Sequence, residues 1–412
     1  MPEFRSFKAF RPKQEFAQKV AAKPYDVLNS DEARKEAKNN PFSFLHIGKP
    51  EIDLEPSIDL HDPIVYAKGK ENLHKLINDN VLIQDTEDYL YLYSQTMNGR
   101  TQYGFVGCVY INDYWNDNIK KHEKTRKDKE EDRCEHVRIT NAHTGPIFLT
   151  MPDNQELLDI IKNVSSNTPD NDLVDNMDVR HTSWVIKDKT ISDRVQTICK
   201  DTKYFYIADG HHRSAAGAIV GRERANANPN HTGTEEYNYY LAVLFPASHL
   251  MIMDYNRIVK DLNGNTDADF FNKLEKIFDI EEQSSQYKPA KKGEVGMYIN
   301  NKWYKCSFKS QFVSNDPVEG LDVSLLQNNV LNPILGIDDP RTNKRIDFIG
   351  GIRGLNELER RVNSGEMKVA FAMYPTSIQE LMDIADAGAI MPPKSTWFEP
   401  KLADGMFVHF MD

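Results

Sequence analysis

The sequence predicts a mixed α/β fold, with both α/β and α+β character, in an N-terminal α/β region over residues 1–255 and a C-terminal α/β region over residues 256–412. Three observations lead there. Two β-rich runs flank Asn98-Gly99, the preferred two-residue hairpin turn. The apolar run YFYIA passes through Asp209-Gly210 into SAAGAIVGRER, whose Ala215, Ala216, Ile219 and Val220 have helical spacing. IDFIGGIRGLNELERRVNSGEMKVAFAMYPTSIQELMDIADAG alternates strand, helix, strand and helix, starting helices near Gly354 and Ser377 and stopping them at Gly365 and Gly388.

Along the chain, PYDVLNSDEARKEAKNNP reads as a short strand, a cap at Asn29 or Ser30, and a helix with acids in its first turn. His61 to Asn80 reads as a second helix that starts at Asp62-Pro63 and buries Ile64, Ala67, Leu73, Leu76 and Ile77. After the hairpin, IKKHEKTRKDKEEDRCEHVRI mixes charges in the manner of a solvated helical face. NVSSNTPDNDLVDN, ANANPNHTGTEE and EEQSSQYKPAKKGEVG are poor in apolar residues and read as loops. MPPKSTWFEPKLADGMFVHF reads as a proline-stiffened loop followed by a short strand.

Of the 412 residues, 40% are hydrophobic and 27% charged, the composition of a globular chain with a real core. A net charge of −11 repels a polyanion, so nucleic acid is not an expected partner, whereas local basic pockets can still take small anions. Cys108, Cys134, Cys199 and Cys306 are dispersed without a C-x-x-C pair, which points away from zinc knuckles and disulfide scaffolds. MPEFRSFKAFRPK lacks an apolar h-region and YYLAVLFPASHLMIMDY is interrupted by Pro246, Ser248 and His249, so the expectation is a cytoplasmic protein without membrane contact.

The chemistry concentrates in DGHHR, residues 209–213. His211, His212 and Arg213 fall at a helix N-terminus, where the dipole disfavours cations unless an anion balances them, and a phosphate would do so. Gly210 lets backbone approach a ligand, and Asp209 could cap, orient a histidine or serve as a base. Ser214 is added to the phosphate-binding set. No metal ligands are assigned. Ligation by Asp209 and His211 with a distant His181 or His143 is the lesser alternative, because adjacent histidines at a helix start diverge.

In HEKTR, His122, Thr125 and Arg126 are candidate substrate contacts and Glu123 a candidate base. Lys394 and Ser395 of MPPKSTWF are further substrate candidates, without the glycine lead of a P-loop. The Gly350-Gly351-Ile352-Arg353-Gly354 stretch fits an anion-binding turn and a tight strand-to-helix connection equally well.

PYDVLNSDEAR, HEKTRKDKEEDR, IADGHHRSAA and MPPKSTWFEPKL together resemble, over nearly the whole chain, the bacterial and archaeal family known as domain of unknown function 1015. DGHHR alone is similar to the strand-turn-helix of the ParB/sulfiredoxin superfamily, which includes free serine kinases. That resemblance covers Tyr204 to Ala225 and implies a ParB/sulfiredoxin-like nucleotide-binding core with insertions. It further implies phosphate contacts from Gly210, His211, His212 and Arg213, with Asp209 near the reacting centre. The turn lacks the cysteine of sulfiredoxin chemistry, and PYDV lies far from it in sequence.

The resulting expectation is a nucleotide-dependent phosphotransferase acting on a small hydroxyl metabolite, free serine first, with catalytic Asp209, His211 and Glu123. It would use ATP or ADP, with CTP as a third option, and Mg2+, and a homodimer is compatible with it. The alternatives are a metal-dependent phosphoester hydrolase and a nucleotide-sensing module without turnover.

Overall fold

Asn98 and Gly99 adopt left-handed φ values of 51° and 77°, and the hairpin they close lies within a nine-stranded sheet. The computed structural model describes residues 1–412 and divides into two units, Met1–Leu250 with Pro400–Asp412, and Met251–Glu399. Residues 400–412, which the sequence reading places in the C-terminal region, thus return to the first unit. Backbone pairing holds them there: Val408 exchanges backbone hydrogen bonds with Phe10, and His409–Phe410 pairs with Ala142–His143.

The strands of the first unit's sheet are β1 (Phe4–Arg5), β2 (Leu90–Met97), β3 (Arg100–Tyr110), β4 (Ile119–Lys120), β5 (Ile147–Met151), β6 (Asn171–Val174), β7 (Arg180–Ile186), β8 (Phe205–Asp209) and β9 (Tyr239–Pro246). Their order is β4-β8-β5-β9-β3-β2-β7-β6, with β1 on β3. The β4–β8 and β5–β9 pairs are parallel and the other pairs antiparallel. β9, reading YYLAVLFP, is buried at every position, as a strand covered on both faces requires. β6 lies within NVSSNTPDNDLVDN, so that stretch is partly an edge strand rather than all loop.

Four helices matter for the site: α1 (Ser30–Ala37), α2 (Pro63–Asn78), α3 (Lys127–Thr140) and α4 (His211–Ala227). Asn29 and Glu32 form a reciprocal capping box at α1. The strand expected at PYDV is instead a turn closed by Val27 N to Pro24 O at 3.1 Å. Pro24 supplies no donor for a ladder there. α2 starts at Asp62-Pro63 as read and buries Leu73 and Leu76, but Ile64 is 52% exposed and Val65 and Tyr66 turn inward in its place. The mixed-charge α3 is not solvated all round, since Cys134 and Val137 pack with Ala216 and Val220 of α4.

The second unit has its own antiparallel sheet of β10 (Tyr255–Val259), β11 (Phe278–Gln283), β12 (Glu294–Ile299), β13 (Lys302–Phe308), β14 (Ile346–Gly350) and β15 (Val369–Met373), in the order β11-β13-β12-β15-β10-β14. With α5 (Gly354–Asn363) and α6 (Ile378–Asp386) it reproduces the strand-helix-strand-helix series. Gly365 and Gly388 end the helices at φ 78° and 65°. The fold is mixed α/β throughout. No helix is long and apolar enough to cross a membrane, and the four cysteines are free and buried.

Candidate functional site

Asp209 ends β8, and Gly210 turns the chain at φ 86° and ψ 32° into α4. A Cβ at Gly210 would come no closer than 3.7 Å to its neighbours, so backbone conformation rather than space selects glycine. α4 begins without a side-chain cap, and its ladder opens with Ser214 N to Gly210 O at 2.9 Å. The amides of His211, His212 and Arg213 therefore lie ahead of the ladder, at the positive end of the helix dipole.

The Asp209 carboxylate is fixed on both sides. Oδ1 accepts from its neighbour's amide, Gly210 N, at 2.8 Å, and Oδ2 accepts from Lys401 Nζ at 2.6 Å. Lys401 is held by its backbone: Gln95 Nε2 donates to Lys401 O at 2.7 Å and Gln102 Nε2 to Pro400 O at 3.4 Å, both glutamines being buried. Burial pushes the Asp209 carboxyl up, but the Lys401 charge and hydrogen bond outweigh it and hold the group below the usual carboxylate range.

The segment Lys121–Arg126 brings HEKTR against this turn. The His122 and His211 rings meet edge to face at 4.5 Å, and Glu123 Oε2 lies 3.9 Å from His211 Nδ1. Both histidines are buried, at 2% and 5% exposure. Burial pushes His122 down to about 4 and His211 well below its ordinary value, the second further lowered by its neighbour His122. His212 Nε2 accepts from Arg126 N at 3.1 Å, and burial lowers it too.

The charge argument drawn from the sequence is thus met from within. The two histidines are neutral at pH 7, and Arg213 already has its anion, donating through Nη1 and Nη2 to the two oxygens of Asp404 at 2.7 Å each. Asp404 is buried. This bidentate fork leaves Arg213 less free for phosphate than expected. Gly145 makes room for the pair, since a Cβ there would run into Arg213 Nη1 and Asp404 Oδ1.

Other expected contacts are also engaged elsewhere. The Ser214 hydroxyl is fully buried against the Tyr240 hydroxyl at 3.2 Å and faces the core, not the helix mouth. Thr125 Oγ1 donates to Glu130, and the exposed Arg126 side chain pairs with Asp128. Lys394 and Ser395 belong to the second unit, where the Ser395 hydroxyl donates to Pro392 O at 2.6 Å and Lys394 turns the chain at φ 59°. His181 hydrogen-bonds Tyr93 and Asp175, and His143 stacks on His409 with rings 6° apart. Neither histidine joins His211 in a ligand set.

Sequence reasoning left Asp26 unplaced. Its charge acts on both Arg213 and His212, and the Tyr25 ring lies 4.0 Å from Arg133 and 5.3 Å from Arg213. The first motif thus reaches the third. Asp404 and Lys401 carry no separate signal beyond their place at the end of the last motif.

The chain belongs to the family described as protein of unknown function (DUF1015), whose model matches residues 4–324. No curated protein matches the chain in sequence. Among solved structures it is similar to a conserved hypothetical protein from Pyrococcus furiosus, at 14% identity and TM-score 0.35, covering 74% of this chain and 94% of that one. It is also similar to a free serine kinase in complex with AMP, at 13% identity and TM-score 0.34, covering 71% and 86%. SbnI with a C-terminal truncation, from Staphylococcus aureus, gives 9% identity and TM-score 0.39, covering 73% and 85%. Overlaps of that size fix neither a reaction nor a ligand.

Proposed function

We propose that this protein is a nucleotide-dependent phosphotransferase for a small hydroxyl metabolite, with serine the first acceptor to test. One observation carries the reading: α4 opens at a left-handed glycine without a cap, beside a carboxylate fixed by Lys401. Three free-ended amides at a helix start suit a nucleotide phosphate, and Gly210 allows its close approach. The resemblance of DGHHR to nucleotide-binding turns supports the same assignment. Nucleotide-borne Mg2+ would supply charge neutralisation between phosphates.

Phosphoryl transfer asks the protein mainly to position and to stabilise charge. His212 and the amides of residues 211–213 hold the phosphate, and Asp209, kept ionised by Lys401, receives the acceptor's proton. Glu123 is the competing base.

The test is phosphorus NMR of the protein with Mg2+ and ATP, ADP or CTP, alone and with serine, threonine, glycerate or inositol. A new phosphomonoester should form only when an acceptor is present. Asp209→Asn should bind both ligands yet fail to transfer, and Glu123→Gln should retain transfer. Nucleotide loss regardless of acceptor would mean hydrolysis, and binding without turnover would mean a sensor.

A further inference from the structure

His122, Glu123 and His211 each offer a ligand atom within 4.8 Å of the other two, and no other set of three histidine, cysteine or acidic side chains converges in this way. Two ring nitrogens in the set, His122 Nδ1 and His211 Nε2, are buried without a hydrogen-bond partner. Simple core packing gives no reason to bury two imidazoles edge to face with unsatisfied nitrogens, because each nitrogen has lost water without a replacement.

We propose that His122, Glu123 and His211 bind a divalent transition metal of the zinc class. Two neutral imidazoles and one carboxylate are the donor set of open catalytic zinc sites, with the fourth position left for water or a ligand oxygen. Imidazole donors favour such a metal over Mg2+, which prefers oxygen. A tetrahedral site with bonds of about 2.1 Å has ligand atoms about 3.4 Å apart, and the three candidate ligand atoms already lie within 4.8 Å of one another. Glu123 is exposed, which leaves the site open to solvent on its side. The other edge is fixed: the Ile207 backbone hydrogen-bonds His122, the outer contact that orients a metal-bound imidazole.

The sequence hides this set because His211 lies 88 residues beyond Glu123 and 89 beyond His122, and the two adjacent histidines of DGHHR attract attention as a pair. The structure separates that pair. His212 turns to Arg126 N while His211 turns to His122, so each histidine has its own partner. The proposal does not depend on the phosphotransferase reading, because its measurement is metal content.

The full-length protein, stripped with chelator and dialysed against Zn2+ in excess Mg2+, should retain one zinc per chain by elemental analysis. Co2+ in its place should give the visible absorption of a low-coordinate site. Glu123→Gln, His122→Gln and His211→Asn should each weaken Zn2+ binding by about 10²-fold or more. Circular dichroism confirms folding, and Glu123→Gln, at an exposed position, keeps the test valid if a buried histidine variant fails to fold. His143→Gln should bind zinc normally. Absence of stoichiometric zinc in the wild type, or zinc affinity unchanged in folded Glu123→Gln, overturns the proposal. A phosphotransferase that works fully while metal-free leaves the zinc measurement unaffected, and so the two readings fail separately.

Discussion

Lys401 donates to the Asp209 carboxylate at 2.6 Å across 192 residues of sequence. The folded carboxyl lies below its unfolded value, so the ionised pair persists above the ordinary carboxylate range and is lost as pH falls through the lowered folded value. In Lys401→Met the largest effect opposing burial is gone and the carboxyl rises. The acid limb of kcat/KM should therefore move to higher pH. An acid limb identical to wild type would remove Asp209 from the proton transfer.

Arg213→Ala should destabilise the protein rather than only weaken ligand binding. It leaves the buried Asp404 carboxylate unpaired, a loss of about 3–5 kcal/mol. Denaturant unfolding measures it, and Arg213→Met with Asp404→Leu should recover most of the loss. Equal stability of Arg213→Ala and wild type would show that the pair is not desolvated as described.

Gly145→Ala should disturb the same pair from outside it. The methyl has to displace Arg213 Nη1 or Asp404 Oδ1, so unfolding should occur at lower denaturant even though no charged group has been removed. Additivity with Arg213→Ala would contradict a shared cause.

His136 is buried, with Nε2 on the Ile47 carbonyl at 2.9 Å. Burial, helped by Arg133, lowers it to about 4 despite that bond and Asp132. Its folded value is below the unfolded one, so stability is full above pH ~6.5 and falls as pH drops toward about 4. The linked change is on the order of 3 kcal/mol. His136→Gln should flatten the fall in stability between pH 7 and pH 5, measured by chemical unfolding at each pH.

Gly210→Ala should cost about 1–2 kcal/mol, because an L side chain is forced to φ 86° with no steric clash to add. Thermal unfolding reads this.

Local signals in the sequence were strong where one residue type has one conformational use. Asn98-Gly99 gave the hairpin, Asp62-Pro63 a helix start, Gly365 and Gly388 helix ends, and Asp209-Gly210 the strand-to-helix turn. Signals failed where tertiary partners decide. Val27 looked like strand and became turn, and residues 171–174 looked like loop and became an edge strand on β7. In the site, the residue types of DGHHR and HEKTR were legible, and so was their chemistry in isolation. Their pairing was not, because Asp404 reaches the turn from far along the chain and neutralises Arg213, which read as seeking an external anion, while Lys401 arrives from the same segment to pair with Asp209.

The returning segment 400–412 also has a consequence in time. Arg213 leaves the ribosome 191 residues ahead of Asp404, an interval of roughly 10–40 s at about 5–20 residues per second. For most of it the second unit is being made while the first has an unmatched guanidinium and a β8 carboxylate without its lysine. The first unit cannot settle as a native body before residues 400–412 are made. Chains that stall anywhere between the two motifs therefore present an unfinished core to the cell's proteases and chaperones.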